Sequence, residues 1–146
     1  MIKTLKNTDS DLQVLANLAL IMWNKHSVHD LIDEFSKKMA EGKTQFFLKY
    51  ENDEPVAFAQ CQLRCDYVEG TKTSPVGYLE GVFVKQEYRR KGYAKELLLA
   101  CEAWAKEKGC TEFASDCEIN NEESLRFHIS MGFIEANRII CFTKAL

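Results

Sequence analysis

The chain has only two prolines in 146 residues, three histidines, and no apolar run approaching the roughly 18 residues a membrane span requires. No Pro/Gly/Ser-rich stretch, low-complexity tract or internal repeat interrupts it, so one domain over residues 1–146 is expected. The start, Met1-Ile2-Lys3-Thr4-Leu5-Lys6, lacks the long apolar segment of a secretory signal, which points to a cytoplasmic protein with no membrane partner. None of the six cysteines stands in a C-x-x-C pair, and the histidines have no zinc spacing relative to them. Buried small thiols are therefore expected, rather than disulfides or a metal site. Cys61 and Cys65, four apart in an apparent strand, are expected on one face. Positive charge is not in excess either. With 19 Lys+Arg against 22 Asp+Glu and a formal net charge of −3, a nucleic-acid partner is disfavoured. Two phosphate-binding signatures, G-x-x-x-x-G-K-S/T and G-x-G-x-x-G, are also missing.

What is present reads as alternating short elements. Ile2 to Leu5 is a short strand. Asp9 or Ser10 caps a first helix running to about Trp23, and Ser27 caps a second ending near Gly42. Thr44 to Tyr50 and Val56 to Tyr67 form a hairpin across Asn52-Asp53-Glu54-Pro55. Gly77 to Val84 is a strand, followed by a helix from Ala94 and a short strand at Thr111 to Ser115. A last helix, Asn121 to Ser130, is closed by Gly132, and two strands, Phe133 to Glu135 and Ile139 to Thr143, finish the chain. The order is β-α-α-β-β-β-α-β-α-β-β, an α/β (α+β mixed-sheet) fold.

The third helix opens in an unusual way. Its apolar stripe, Ala94, Leu97, Leu98 and Cys101, packs it on the sheet and brings its N-terminus to the C-terminal end of the Gly77 to Val84 strand. Ligands bind at such strand ends. Helix starts need an acceptor for their first N–H groups, usually a Ser, Thr, Asp or Asn side chain. Arg89-Arg90-Lys91-Gly92 offers cations and a glycine instead. Free amides, the helix dipole and a neighbouring Gly suit either a bound phosphate or a solvated basic turn.

The segment Arg89-x-x-Gly92-x-Ala94, preceded by Leu79-Glu80-Gly81-Val82-Phe83-Val84, resembles the acyl-CoA motif of the GCN5-related N-acetyltransferases (GNAT). Asn120 to Phe133, a helix ending at Gly-Phe, is similar to their second motif, and the element order matches theirs along essentially the whole chain. Five scattered blocks resemble the small aminoglycoside 6'-N-acetyltransferases: Trp23-Asn24-Lys25-His26, Asp66 to Gly70, Thr73 to Val76, Leu79 to Val84 and Ala114-Ser115-Asp116.

The resemblance implies a GNAT fold with a splayed central sheet, acetyl-CoA as co-substrate and an aminoglycoside as acceptor. It implies that Val82, Phe83 and Val84 pair with the pantetheine arm beside a bulge at Gly81. Arg89, Arg90, Lys91, Gly92, Tyr93 and Ala94 would then hold the diphosphate, and Asn121 the arm. It implies Glu80 and Asp116 as acids facing the substrate amines, Asp116 as general base, and Trp23, His26 and Tyr67 as pocket walls. His128 stands where relatives protonate the departing thiolate. A carboxylate that binds an ammonium raises the amine's pKa, so the proton leaves either by direct geometry or through water. Close relatives carry an acid just before the arginine of the final strand; here Asn137 precedes Arg138, so that contact does not transfer. Another small polycationic amine, such as a polyamine, remains an alternative acceptor, and a non-catalytic acyl-CoA-binding module a third reading. A homodimer stays open, with the edges of the C-terminal strands free to pair.

Overall fold

The computed structural model describes residues 1–146. Strand β1 (Ile2–Thr4) leads into α1 (Asp9–Met22) and α2 (Val28–Ala40). Then come β2 (Thr44–Glu51), β3 (Glu54–Arg64) and β4 (Val76–Val84), then a short 3-10 turn, α3 (Tyr93–Glu107), β5 (Phe113–Ser115) and α4 (Glu122–Ser130). The sheet order is β1-β2-β3-β4-β5, antiparallel except for the parallel β4–β5 pair.

Period-2 alternation along the strands sorts the core onto two faces. Phe46, Leu48 and Phe58 meet α1 and α2 through Leu12, Leu15, Leu31 and Phe35. Phe47, Ala57, Ala59, Cys61 and Leu79 meet α3 through Leu97, Leu98 and Cys101. Gly77 lets β4 come close to both β5 and the end of α3, because a Cβ there would stand 2.5 Å from the Phe113 ring and 2.6 Å from Ala105.

The local signals in the sequence account for most element ends. Ser27 caps α2 by accepting from Asp30 N at 3.1 Å. The cap of α1 is Thr8 and neither Asp9 nor Ser10, because Thr8 is extended and its hydroxyl accepts from Asp11 N. Asn52 and Asp53 both have positive φ and close the hairpin.

Two expectations fail. The two C-terminal strands do not form: no strand follows β5, and Ile134, Ile139, Ile140 and Phe142 are 90%, 68%, 81% and 89% exposed. The segment has strand composition, but a strand exists only through a partner's ladder, and no strand of the same chain pairs with it. The cysteines are all free, yet only Cys61, Cys101 and Cys110 are buried, while Cys65, Cys117 and Cys141 are exposed. Cys65 lies beyond the end of β3, so it does not share a strand face with Cys61. The Cys61 thiol hydrogen-bonds with Cys101 and is buried, and both effects push it well above the usual thiol range.

At the start of α1, Asp11 accepts from Lys3 Nζ at 2.6 Å and Lys6 N at 2.9 Å. The Lys3 hydrogen bond holds its carboxyl below the usual carboxylate range. A depressed folded value contributes stability above the unfolded value of about 4, and that stability is lost as pH falls through the folded one. Asp11→Ala removes the Lys6 N–H acceptor and the ion pair. We expect it to destabilise by about 1–2 kcal/mol and to lower Tm by roughly 2–8 °C for this chain length. It should also flatten the loss of stability below about pH 4. Calorimetry across that pH range checks both, and an unchanged acid limb contradicts the assignment.

Candidate active site

β4 and β5 pair only at Gly77↔Phe113, Tyr78↔Ala114 and Leu79↔Ser115, after which β4 continues alone to Val84. On its other side β4 pairs with β3, with a register break: Gln60 faces Gly81 and Cys61 faces Leu79. The extra residue is Glu80, one before the expected Gly81, and its bulge bends β4 away from β5. Beyond Leu79, β4 therefore presents backbone N–H and C=O groups on its β5 side with no strand partner. The opening is a cleft of about 660 Å³ whose lining includes Glu80 to Val84, Arg89, Arg90, Gly92 to Lys95, Ser115 to Cys117, Asn121 and His128.

The N-terminus of α3 faces the same cleft. Gly92 is its N-cap in the left-handed region (φ 82°), and no side chain caps it. Arg90 is also left-handed at φ 63°. A Cβ on Gly92 would meet nothing within 4 Å, so the glycine answers to its dihedral and leaves open space above the amides. The cations divide. Arg89 donates Nε to the Val84 carbonyl at 3.0 Å and its guanidinium lies 4.0 Å from Glu123. Lys91 pairs with Glu51 at 3.1 Å, and the Tyr93 hydroxyl also donates to Glu51. Arg90 alone of the three makes no side-chain hydrogen bond or ion pair within the protein.

The two predicted acids are joined by residues the sequence reading did not single out. Glu80 Oε1 accepts from Arg64 Nε at 3.0 Å and Nη2 at 2.8 Å. The Arg64 guanidinium stacks 3.4 Å from the Tyr78 ring centroid. The buried Tyr78 hydroxyl donates to Asp116 Oδ2. Burial first, and then the Asp116 carboxylate, push the Tyr78 phenol well above its ordinary value. Arg64 and Tyr78 thus fix both carboxylates, leaving Glu80 Oε2 and Asp116 Oδ1 for a ligand. Tyr78 and Glu80, two apart on one strand, share a face. That spacing was the one available signal.

His128 on α4 places Nδ1 2.7 Å from the Ser124 carbonyl and Nε2 2.7 Å from Ser115 Oγ. Phe127 and Phe133 wedge its ring at centroid distances of 5.5 and 5.1 Å. Asn121 is the N-cap of α4, its Oδ1 accepting from Ser124 N at 3.1 Å, which leaves its amide nitrogen for the cleft. Trp23 packs on Phe35 and Phe58 and stands 3.5 Å from where a Gly81 Cβ would be, so it backs the cleft wall. His26 and Tyr67 are exposed and outside the cleft lining; Tyr67 donates to Glu69 at 3.3 Å. Asn137 reaches the same Glu69 at 3.4 Å, so the C-terminal tail and the loop after β3 lie together. No group of three or more His, Cys, Asp and Glu is arranged to hold a metal ion.

An unpaired strand edge beside bare helix amides and one free guanidinium suits an extended carrier bearing a diphosphate. The paired carboxylates across the cleft suit a cationic acceptor.

The sequence profile of the Acetyltransferase (GNAT) family matches residues 12–133. An aminoglycoside N(6')-acetyltransferase type 1 of Acinetobacter baumannii is 37% identical over 139 residues, covering 94% of each chain. A namesake from Acinetobacter haemolyticus is 38% identical over 125 residues, covering 86% of each. Among solved structures, apo AAC(6')-IG from Acinetobacter haemolyticus superposes with a TM-score of 0.88 at 35% identity, covering 100% of this chain and 99% of that one. AAC(6')-Iy in complex with the bisubstrate analog CoA-S-monomethyl-acetylneamine superposes with a TM-score of 0.92 at 30% identity, covering 100% and 98%.

Proposed function

From a chain that belongs to the acetyltransferase (GNAT) family, we propose an aminoglycoside 6'-N-acetyltransferase that moves the acetyl group of acetyl-CoA onto the 6'-amine of its acceptor. The observation that carries the acetyl-transfer reading is the free edge of β4 opening into the same cleft as the uncapped start of α3. The acceptor class rests on the extended identity to relatives bearing that activity in their names.

Acetyl-CoA supplies the activated acetyl group. The amides of Gly92, Tyr93 and Ala94, with Arg90 beside them, hold its diphosphate, while Arg89 and Lys91 brace the turn. Val82 to Val84 pair with the pantetheine arm as an added strand, and the Asn121 amide nitrogen donates to it. A backbone N–H of Val82 or Phe83 faces the acetyl oxygen as charge develops there. Glu80 and Asp116 hold the acceptor's ammonium groups, with Trp23 backing the wall behind Gly81, and Asp116 takes the attacking amine's proton directly or through water. His128 provides the proton for the departing sulfur.

The chain acts as a single N-acetyltransferase domain in the cytoplasm, where the coenzyme and six free thiols are both at home. It assembles as a homodimer. The support is the tail after Phe133, whose exposed Ile139, Ile140 and Phe142 have strand composition and no partner, and the outer edge of β5, which no strand covers. Deleting residues 139–146 is expected to convert a dimer to a monomer in sedimentation velocity. A monomeric full-length chain contradicts this.

Purified protein, acetyl-CoA and a panel of amines, followed by thiol release, test the acceptor class. Turnover of kanamycin and tobramycin is expected. Turnover of spermidine without either assigns the cleft to another polycationic amine, and tight acetyl-CoA binding with no thiol release on any amine makes the chain a binding module.

A further inference from the structure

His128 does not present a free nitrogen to the cleft. A backbone carbonyl only accepts, so the 2.7 Å contact of Nδ1 with the Ser124 oxygen fixes a proton on Nδ1. Nε2 is left, and it is 2.7 Å from the Ser115 hydroxyl. Ser115 Oγ is in turn 3.2 Å from the Leu79 carbonyl, the last paired residue of β4 before the splay. Phe127 and Phe133 hold the ring against rotation. Both ring nitrogens are thus engaged, and Ser115 and His128 both line the cleft.

Two hydrogen-bond sets fit these positions, and they differ by one proton. With a proton on each ring nitrogen, Nε2–H donates to Ser115 Oγ and the Ser115 hydroxyl donates to the Leu79 carbonyl or to a cleft ligand. With only Nδ1 protonated, the Ser115 hydroxyl turns to Nε2, and Leu79 loses that donor. Ser115 is therefore the group through which a proton passes between the imidazole and the cleft.

We propose that Ser115 is a catalytic relay: its hydroxyl, not the imidazole, hands the proton to the departing sulfur and is recharged by His128 Nε2. This rests on the reading above that His128 is the acid. As the C–S bond breaks, its electron pair goes to sulfur. Ser115 Oγ–H gives its proton to that sulfur, and His128 Nε2–H gives its own to Ser115 Oγ. His128 finishes neutral with its proton on Nδ1, and solvent returns one proton to Nε2. The acceptor amine's proton leaves separately through Asp116, so one proton enters the thiol as one leaves the amine.

The test compares Ser115→Ala, Ser115→Thr, His128→Gln and the Ser115→Ala/His128→Gln double variant, all checked for native circular dichroism. We expect Ser115→Ala to lower kcat about 10-fold with both KM values within about twofold. That loss is smaller than full removal of an acid because a water can stand in for the hydroxyl. Ser115→Thr, which keeps a hydroxyl, recovers most of the loss. The double variant is no slower than His128→Gln, since the two groups act in series. Independently of turnover, nitrogen NMR of the ligand-free imidazole is expected to show the Nε2 resonance moving in Ser115→Ala while Nδ1 keeps its proton. Undiminished kcat in Ser115→Ala beside a slow His128→Gln overturns the relay alone. Undiminished kcat in His128→Gln overturns both the relay and the acid role. An Nε2 resonance unmoved by Ser115→Ala removes the hydrogen bond on which the relay depends.

Discussion

Asp116→Asn is expected to lower kcat by roughly two orders of magnitude while the KM for acetyl-CoA stays within about twofold. Asparagine keeps the shape of the side chain, and its carbonyl still accepts from the Tyr78 hydroxyl, so the Arg64–Tyr78 brace and the Glu80 ion pair survive. What disappears is the negative charge and the capacity to take a proton. The acetyl-CoA contacts proposed here lie along β4 and at the start of α3, away from that carboxylate, which is why the effect falls on turnover. The acceptor's KM is expected to rise as well, since a carboxylate that pairs with an ammonium is lost. Steady-state kinetics with each substrate varied in turn separates the effects. Undiminished turnover takes Asp116 out of the base role.

Arg90→Glu is expected to raise the KM for acetyl-CoA by about 30-fold, with kcat changed far less. A charge-assisted hydrogen bond contributes about 1.5–3 kcal/mol, and reversal of sign adds repulsion to its loss. Neither Glu nor Ala relieves the left-handed backbone at position 90, where φ is 63°, so both carry the same conformational burden as Arg and the comparison isolates charge. Arg90→Ala is accordingly expected to raise KM by a smaller factor, about 10-fold. Raising salt should narrow the gap between wild type and variant, as screening weakens the free guanidinium. Arg89 and Lys91 make the contrast. Each already has a protein partner, so their loss disturbs the turn as well as its charge. An Arg90→Glu protein with wild-type acetyl-CoA KM places the diphosphate elsewhere.

The helix ends were legible because their signals are local. Ser27 caps α2, Gly132 terminates α4 with φ 91°, and Gly92 opens α3 without a side-chain cap, all within a few residues of where the pattern puts them. The bulge was located to within one residue, at Glu80 beside Gly81, because an irregular strand carries its glycine with it. The C-terminal strands were not legible. Ile139 to Phe142 has the right composition, but pairing is a property of two segments, and this chain supplies one.

The same limit explains the site. Asp116, His128 and Arg90 stand in contiguous motifs, and all three line the one cleft. Arg64, Tyr78 and Ser115 meet their partners across β3, β4 and β5, where contact depends on register, so even Ser115, beside Asp116 in its block, shows its partner only in the fold. Trp23 illustrates the reverse. The block that contains it reads as pocket wall, yet its ring is held by Phe35 and Phe58 in the core, and it supports the cleft from behind Gly81.

Mass spectrometry of the product formed from kanamycin and acetyl-CoA, with fragmentation to locate the new amide, tests the central claim most directly. One added acetyl group, confined to the 6'-amine and absent when Asp116→Asn replaces the wild type at matched short times, is the predicted result. An acetyl group on a different ring amine, or no acetylated sugar at all beside an active preparation of a relative, contradicts it.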